Sequence, residues 1–282
     1  MRVAVVSNPH SGNYSKRKIV QLGRALSRTG HDVSFHDSLT FGSENEAEEC
    51  DLVCISGGDG TVRTVINNAG ASFVRTTYCI HPVGTINLAA REARYAADPQ
   101  CFVSDISSRK STKSLYAGRL SDQIFLTCAS IGPDSRVVAR VSVALKKRIG
   151  RLAYLVAFLG LLLSWPRQII DIVVDGAAMQ VEGVFVFKGR FFAGPWTLDP
   201  LADASQDSFR LLILDRARRR DYLRLVGYAM FGAVFADPKW RRMSARTIEV
   251  RGPGNIPIQA DGDILAHSPA TISICSQPLR FL

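Results

Sequence analysis

The sequence lacks features that are typical of disulfide-stabilised, secreted, membrane-spanning and nucleic-acid-binding proteins. Its six cysteines form no Cys-x-x-Cys pair and several lie in apolar runs, which favours reduced, buried thiols in a cytoplasmic protein. No secretory signal peptide is evident. The longest apolar run, residues 152–165, is shorter than the roughly 20 residues that cross a bilayer. No zinc-finger spacing, helix-turn-helix pattern or ribonucleoprotein motif occurs, so no nucleic-acid partner is expected.

Positive charge is in excess. The chain has 35 lysine and arginine residues against 25 acidic residues, a net charge of +10. A basic surface suits an anionic membrane or a phosphate-rich ligand, although any single basic cluster is also compatible with a solvated surface. Arginines flank the run 152–165, which predicts either an interfacial helix that meets lipid headgroups or a core helix. Peripheral membrane association is therefore an expectation.

The stretch Gly57-Gly58-Asp59-Gly60-Thr61 follows an apolar run typical of a buried strand and precedes a predicted helix that starts near Val62. Its glycines allow close approach to a ligand and positive φ, and a helix N-terminus supplies unpaired N–H groups. The stretch therefore predicts an anion cradle for phosphate. No Gly-Lys-Ser/Thr follows, so it is not a P-loop. The Asp59 carboxylate would repel a bare phosphate, which favours a role toward a cation, a ribose hydroxyl or the loop backbone.

The pattern of predicted secondary structure changes near residue 105. Strands and helices alternate over 1–105, which predicts an α/β domain with a mostly parallel sheet and ligands at the carboxyl ends of its strands. Short strand-like runs dominate 106–282, with helical stretches at 136–165 and 219–235, which predicts a β-rich second domain. The polar segment 104–111 is interpreted as a linker. The last residues are free to return to the first domain.

Four short motifs occur in order at predicted strand ends. Each alone is weak, since a glycine-rich pentamer or an Asp-Gly pair is also an ordinary turn. Their joint occurrence resembles the soluble diacylglycerol kinase and sphingosine kinase family of lipid kinases, bacterial branch, over essentially the whole chain. The motifs are Asn8-Pro9-His10-Ser11-Gly12, Gly57–Thr61, Pro82-Val83-Gly84-Thr85-Ile86-Asn87, and Asp261-Gly262-Asp263.

The resemblance implies a fold and an activity. The fold is an NAD kinase-like α/β domain that holds ATP and a β-sandwich-like domain that helps to hold the lipid, with the active site in the cleft between them. The activity is Mg²⁺-dependent transfer of the γ-phosphoryl group of ATP to the hydroxyl group of diacylglycerol, ceramide or a sphingoid base. The motifs do not encode which lipid is the acceptor, nor the oligomeric state.

The resemblance also assigns roles to residues. Asp261 matches the family's general base, and Asp59 is the second catalytic candidate, as an organiser of the loop or of magnesium. Phosphoryl transfer needs positioning, charge neutralisation and an acceptor for the hydroxyl proton, and these roles meet those needs. The histidines lack metal-ligand spacing and are predicted to be structural. The nucleotide-binding candidates are Asn8, Pro9, Ser11, Gly12, Gly57, Gly58, Asp59, Gly60, Thr61, Gly84, Thr85 and Asn87.

Two of the departures from the family pattern concern metal. Asp263 stands where the family usually has glutamate, and its shorter side chain has less reach. Asp207 is followed by Ser208 where the family has glycine in a magnesium-organising Asp-Gly pair. Asp207 and Asp263 are the predicted metal ligands, with Asp203 as a neighbouring rival to Asp207.

Two other functions remain open at this point. An NAD kinase shares the Gly-Gly-Asp-Gly-Thr loop, although the segment 82–87 and the Asp261 motif favour the lipid branch. A catalytically silent nucleotide- or lipid-binding protein is favoured by the altered residues Ser208 and Asp263.

Overall fold

The computed structural model describes residues 1–9, 14–42, 49–142, 145, 149–150, 152–231, 240–252 and 254–282. The chain falls into two compact units: Met1–Tyr116 with Gln277–Leu282, and Ala117–Ser276. The division lies beyond the boundary expected at residue 105, because residues 99–115 contribute a helix and a strand to the first unit.

The first unit is built on one mixed sheet. Its strands, numbered along the whole chain, pair in the order β2-β1-β3-β4-β18-β5. Neighbours are parallel from β2 to β18, and β18 is antiparallel to β5. The strands are β1 Arg2–Ser7, β2 Asp32–Asp37, β3 Leu52–Gly57, β4 Thr77–Pro82, β5 Lys113–Leu115 and β18 Leu279–Phe281.

Helices of the first unit follow local signals in the sequence. They are α1 Lys16–Arg28, α2 Asp59–Asn68, α3 Leu88–Ala93 and α4 Pro99–Ser108, with a 3-10 helix at Gly70–Val74. The start of α4 is fixed by Asp98, whose Oδ1 accepts hydrogen bonds from the N–H groups of Gln100 and Cys101, each at 3.0 Å. Residues 104–108, expected in a linker, are the end of this helix because Phe102 and Ile106 are buried.

The second unit contains two antiparallel sheets, with strand orders β10-β9-β14-β17-β6-β7 and β13-β12-β11-β8-β15-β16. Residues of both sheets form one buried cluster, so the sheets pack face to face as a sandwich. The strands are β6 Gly118–Leu120, β7 Gln123–Phe125, β8 Cys128–Ile131, β9 Ile170–Val174, β10 Ala177–Val181, β11 Gly183–Phe187, β12 Phe209–Leu214, β13 Arg241–Ala245, β14 Thr247–Val250, β15 Pro257–Ala260, β16 Asp263–His267 and β17 Ala270–Ile274.

Three helices cover the outer face of the second sheet: α5 Pro133–Arg140, α6 Leu152–Leu163 and α7 Arg219–Phe231. Side chains of β11 alternate between the layers, as the pleat requires. Val184 and Val186 join the sandwich core, whereas Phe185 and Phe187 pack with Leu161 of α6 on the other side. The unit is β-rich as predicted. Among the described residues, no helix is long and apolar enough to span a bilayer.

Candidate functional site

The glycine loop joins β3 directly to α2. β3 ends at Gly57, Gly58 is the N-cap residue with an extended backbone (φ −96°, ψ −177°), and α2 starts at Asp59. The helix therefore begins three residues before the predicted start. None of Gly57, Gly58 and Gly60 has positive φ, although the glycine-rich sequence would permit it. Gly57 and Gly58 serve close packing rather than a left-handed turn.

The glycine loop leaves little space for side chains at Gly57 and at the neighbouring Gly84. A Cβ on Gly57 would lie 2.5 Å from the Cβ of Thr61. A Cβ on Gly84, in the loop after β4, would lie 2.4 Å from the Cα of Gly58 and 2.5 Å from Asn87 Oδ1. The backbones of the two loops therefore touch. Glycine is required at position 84, and a Cβ on Gly58 would lie 3.1 Å from the Cα of Gly84.

Asp59 ties the glycine loop to the next helix. Its Oδ1 accepts a hydrogen bond from the N–H of Ala89 at 3.0 Å, in the first turn of α3. The N-cap residue of α3 is Asn87, at φ 56°, and its Nδ2 donates to the Gly84 carbonyl at 2.8 Å. Asn87 Oδ1 is buried, and no described residue donates a hydrogen bond to it. Among the described residues, the arrangement therefore leaves one buried oxygen without a hydrogen-bond partner beside the two touching loops.

The three predicted nucleotide-binding loops of the first unit leave neighbouring parallel strands. Ser7 of β1 pairs with Ser56 of β3, and Gly57 pairs with Pro82 of β4, so the carboxyl ends of these strands lie at one sheet edge. Asn8 and Pro9 follow β1, and Thr85 is exposed in the loop after β4. His10, Ser11 and Gly12 lie outside the described residues, so the roles assigned to Ser11 and Gly12 stay predictions.

Beneath this edge lies a buried histidine. The Oγ of Ser56 is 2.9 Å from Nδ1 of His81, and Nε2 of His81 is 3.1 Å from the carbonyl oxygen of Ala97. Because a carbonyl only accepts, Nε2 carries the proton and Nδ1 accepts from the serine. Burial lowers the pKa of His81 to about 4, so the ring is neutral near pH 7. His81 is structural, in accord with its predicted role.

In the second unit, Asp261 occupies the two-residue turn between β15 and β16. Asp261 and Gly262 both have positive φ, 49° and 83°, which is the pattern of a type I′ hairpin turn. An Asp-Gly pair is the ordinary sequence for this turn, so the motif is compatible with a turn that has no catalytic role. The side chain of Asp261 is nevertheless only 8% exposed, unlike that of an ordinary turn residue.

Backbone donors hold the Asp261 carboxylate from the segment between β7 and β8. Oδ1 accepts from Thr127 N at 2.9 Å, Thr127 Oγ1 at 2.6 Å and Cys128 N at 3.3 Å. Oδ2 accepts from Leu126 N at 2.7 Å. A carboxylate oxygen has two lone pairs, so Oδ2, with a single donor among the described residues, keeps acceptor capacity. The carboxylate is fixed in place, and one oxygen can still accept a hydroxyl proton.

A buried thiol and a tyrosine hydroxyl lie near the Asp261 turn. Burial first, and then the negative charge of Asp261, raise the pKa of the Cys128 thiol, which therefore stays protonated. The hydroxyl of Tyr154 on α6 donates to the carbonyl oxygen of Gly262 at 3.1 Å. The sequence analysis assigns no role to Tyr154 or Thr127. Their contacts depend on chain segments far apart in the sequence.

The two predicted metal ligands, Asp207 and Asp263, do not lie in a cluster of metal-binding side chains among the described residues. Asp207 Oδ2 is 2.5 Å from Nη1 of Arg246, and both side chains are more than half exposed, at 52% and 56%. Asp263 is half-buried at the start of β16. In the part of the chain that the structure describes, no group of three His, Cys, Asp or Glu side chains is placed to hold a metal ion. The described residues do not fit a metal site built by the protein alone, and the metal roles of Asp207 and Asp263 stay predictions.

Both halves of the chain match known family models. Residues 2–118 match the diacylglycerol kinase catalytic domain, and residues 127–282 match the YegS C-terminal NAD kinase beta sandwich-like domain. The diacylglycerol kinase of Bacillus subtilis (strain 168) is 25% identical over 271 residues, which cover 93% of this chain and 89% of that protein. The diacylglycerol kinase of Staphylococcus carnosus (strain TM300) is 24% identical over 278 residues, with coverages of 95% and 90%.

Two solved structures show the fold. A diacylglycerol kinase from Bacillus anthracis str. Sterne has a TM-score of 0.79 at 18% identity, covering 99% of this chain and 96% of that one. An NAD kinase from Archaeoglobus fulgidus in complex with ATP has a TM-score of 0.56 at 17% identity, with coverages of 100% and 93%. The predicted fold class, an NAD kinase-like α/β unit with a β-sandwich-like unit, is confirmed.

Proposed function

The chain belongs to the diacylglycerol kinase family, and from that premise we propose that it transfers the γ-phosphoryl group of ATP to a lipid hydroxyl group at an anionic membrane surface. Diacylglycerol is the first acceptor to expect, and ceramide or a sphingoid base offers the same chemistry. The observation that carries the proposal is the Asp261 carboxylate, which backbone N–H groups fix in place while Oδ2 keeps acceptor capacity.

The first unit supplies groups suited to ATP. The N-terminus of α2 presents backbone N–H groups and the positive end of a helix dipole, a favourable environment for phosphate oxygens. At the contact between Gly58 and Gly84, neither backbone carries a side chain. Asn87, the N-cap residue of α3, lies beside this contact and is proposed as a nucleotide contact together with Gly84 and Thr85. Asp59 positions α3 through Ala89 rather than taking the acceptor's proton.

Mg²⁺ enters this proposal with the nucleotide. Protein Mg²⁺ sites commonly combine one or two carboxylates with substrate phosphates, so a cage made only by the protein is not required. Asp59 is the carboxylate closest in sequence to the proposed phosphate site and is the candidate for a contact through water. When bound, the ion neutralises charge on the β- and γ-phosphate oxygens.

Asp261 acts on the acceptor. Its Oδ2 would accept a hydrogen bond from the lipid hydroxyl and then take the proton as the new phosphorus–oxygen bond forms. The backbone N–H groups of residues 126–128 keep the carboxylate in one orientation, so little reorganisation is needed during transfer. The protein's contribution is positioning and charge, which is what phosphoryl transfer requires.

Helix α6 supports action at a membrane. Five of its apolar side chains, which we call the α6 stripe, are 52–84% exposed: Leu152, Leu155, Val156, Leu159 and Leu163. Helical periodicity puts them on one face, opposite the buried Ala153, Ala157 and Leu161. A fully buried Leu or Val side chain gains about 1.5–3 kcal/mol over an exposed one, so a lipid surface would stabilise this face.

Positive charge lies beside the α6 stripe. Helices α6 and α7 contact through Phe158 and Tyr222, whose rings are 5.9 Å apart. Arg219, at the start of α7, donates to the Leu163 carbonyl at 3.2 Å, and Arg220 and Arg224 are exposed on the same helix. Each arginine near an anionic surface contributes about 1 kcal/mol of attraction. An apolar face with adjacent arginines suits a bilayer that contains anionic lipid.

Transfer of label from ATP tests the catalytic proposal. Purified protein is incubated with labelled ATP, Mg²⁺ and vesicles that contain diacylglycerol, ceramide or sphingosine, and in a separate arm with NAD, and the products are separated by chromatography. Label in a lipid product supports the proposal. Label in a product of NAD supports the NAD kinase-like alternative instead, and ATP binding without transfer in any arm indicates a silent binding protein.

Two variants sharpen this assay. Asp261→Asn is expected to lose at least about a hundredfold in rate, because general-base catalysis contributes about 10²–10⁴-fold. Its ATP binding should remain. Asp122→Asn, an exposed carboxylate of the same unit, is the matched control and should retain the wild-type rate. Near-normal turnover by Asp261→Asn would refute the assignment of the base.

Vesicle co-sedimentation tests the membrane part separately. Leu155→Ser with Leu159→Ser should weaken binding to vesicles of phosphatidylglycerol and phosphatidylcholine, while activity on a dispersed short-chain diacylglycerol is retained. Leu39→Ser, at a residue 56% exposed in the first unit, is the control and should bind vesicles normally. Unchanged vesicle binding by the double variant would show that the α6 stripe is not the docking face.

A further inference from the structure

A lysine is completely buried in the second unit. Lys188 follows β11 and is 0% exposed. Its Nζ donates to three backbone carbonyl oxygens of one loop: Asp203 at 3.1 Å, Gln206 at 2.5 Å and Ser208 at 2.9 Å. Lysine is almost never fully buried unless its charge is compensated, so this position calls for a functional explanation.

The carboxylates of Asp203 and Asp207, in the same loop, contact Ser205 and Arg246. Asp203 Oδ1 accepts from the N–H and Oγ of Ser205, at 2.9 and 2.8 Å. Burial would raise the pKa of Asp203, but the hydrogen bonds from Ser205 and the charge of Lys188 lower it overall. Asp207 pairs with Arg246. Both carboxylates thus have hydrogen-bond or ion-pair partners other than the ammonium group of Lys188.

We propose that the ε-ammonium of Lys188 is the resident cation of the loop 203–208, where the sequence pattern around Asp207 predicts magnesium. Three carbonyl oxygens that converge on one point form a cation site, and an ammonium group has three N–H donors to match them. Mg²⁺ prefers six oxygen ligands at about 2.0–2.1 Å, and the lysine nitrogen already occupies the centre. The loop is therefore ordered without a divalent ion.

Lys188 also reaches the proposed base through one residue. The backbone N–H groups of Lys188 and Gly189 both donate to the carbonyl oxygen of Thr127, at 2.8 and 2.9 Å. The N–H and hydroxyl of Thr127 donate in turn to Asp261 Oδ1. Resting on the proposed function, Lys188 is then a positioning residue: it anchors the loop 203–208 to the segment that orients the Asp261 carboxylate.

Metal titration of the nucleotide-free protein tests the cation site without any catalysis. In calorimetry with Mg²⁺ or Ca²⁺, the wild type and Asp207→Asn should give the same result, with no saturable binding at this loop. A chelator should leave the Tm of the wild type unchanged. Saturable divalent binding that is lost in Asp207→Asn would overturn the proposal. This readout does not depend on whether the protein is a lipid kinase.

Substitution of the lysine gives the second test. Lys188→Met keeps the length of the side chain but removes its donors, so it should lower Tm by several degrees. Lys188→Ala should be stabilised by propylammonium chloride more than by sodium chloride, because the added ammonium can return to the carbonyl site. Lys110→Met, at an exposed lysine, is the control and should keep the wild-type Tm. If Lys188→Met and the wild type have equal Tm, or if Lys188→Ala gains nothing from propylammonium, the proposal fails.

Kinetics separate positioning from a purely structural role. Folded Lys188→Met is expected to lose about tenfold in kcat, equivalent to the loss of one well-placed interaction, while the KM for ATP stays within about twofold. An unchanged kcat would limit Lys188 to stability. A change in the KM for ATP alone would contradict the link to Asp261.

Discussion

The hydroxyl group of Tyr154 donates a hydrogen bond to the carbonyl oxygen of Gly262 at 3.1 Å. Tyr154 lies on the face of α6 opposite the α6 stripe, and Gly262 directly follows Asp261 in the hairpin turn. One helix thus presents an apolar face to solvent and contacts the turn of the proposed base.

Tyr154→Phe tests that contact. The variant removes one hydroxyl and leaves Gly262 O without this donor, and such a bond is worth about 0.5–1.5 kcal/mol. We expect kcat on vesicle-borne lipid to fall by about two- to tenfold, with an unchanged KM for ATP. Tyr228→Phe is the control, because Tyr228 packs its ring against Trp240 at 5.9 Å. Equal rates for the two variants would remove Tyr154 from the positioning of the turn.

Asp261→Asn should weaken the fold as well as the reaction. Both oxygens of Asp261 accept backbone N–H donors, whereas asparagine has one oxygen and one amide nitrogen, so a donor would face a donor. We expect a loss of about 1–3 kcal/mol in the free energy of unfolding, measured by urea denaturation. Asp207→Asn, at an exposed ion pair, should cost less than about 1 kcal/mol.

A stability of Asp261→Asn equal to wild type would show that backbone donors do not hold the carboxylate. The comparison also matters for interpreting activity. A rate measured on a partly unfolded variant would overstate the chemical role of Asp261, so rates should be normalised to the folded fraction.

The sheet edge that is proposed to hold the nucleotide was largely predictable from the sequence, because its signals are local. An apolar run, a glycine-rich turn and a helix follow one another from β3 to α2, and parallel strands bring the loops after β1, β3 and β4 to one edge. The reason for the glycines was not predictable. Their sequence permits positive φ, but the need is the contact between Gly58 and Gly84, which depends on the spacing of two loops.

The surroundings of Asp261 and Lys188 could not be read in the same way. Thr127 and Asp261 are 134 residues apart in sequence, and their bond exists only once β8 pairs with β15. Lys188 follows the buried run Val184–Phe187, where a lysine normally marks the solvent end of a strand. Its burial results from a loop that folds its carbonyl groups over the side chain, which no spacing rule encodes.

Gly84→Ala should disrupt the sheet edge that is proposed to hold the nucleotide. The added Cβ would lie 2.4 Å from Gly58 Cα, a backbone atom that cannot move aside without shifting the start of α2. We expect ATP affinity to fall by at least about tenfold, with a loss of about 1–3 kcal/mol in stability. Both are measured on one preparation, by calorimetry with ATP and by urea denaturation.

Gly160→Ala is the matched control for that substitution. Gly160 lies inside α6, and among the described residues no atom outside the helix's own turns would lie within 4 Å of a Cβ added there. Alanine favours a helix interior over glycine by about 0.5–1 kcal/mol, so this variant should gain stability and bind ATP normally. Normal ATP affinity in Gly84→Ala would show that the contact between the loops is not needed for the nucleotide.

The buried His81 makes stability depend on pH. Its pKa is lowered from 6.5 to about 4 by burial, so between these values the unfolded chain binds more protons than the folded one. Stability therefore rises with pH across this window: the contribution is fully present above pH 6.5 and is lost as the pH falls toward 4. The shift corresponds to about 3 kcal/mol.

His81→Gln keeps a donor for the Ala97 carbonyl and removes the titration, so urea denaturation at several pH values should give a flatter slope of stability against pH than the wild type. Parallel slopes for the two proteins would show that His81 is protonated equally in the folded and unfolded states.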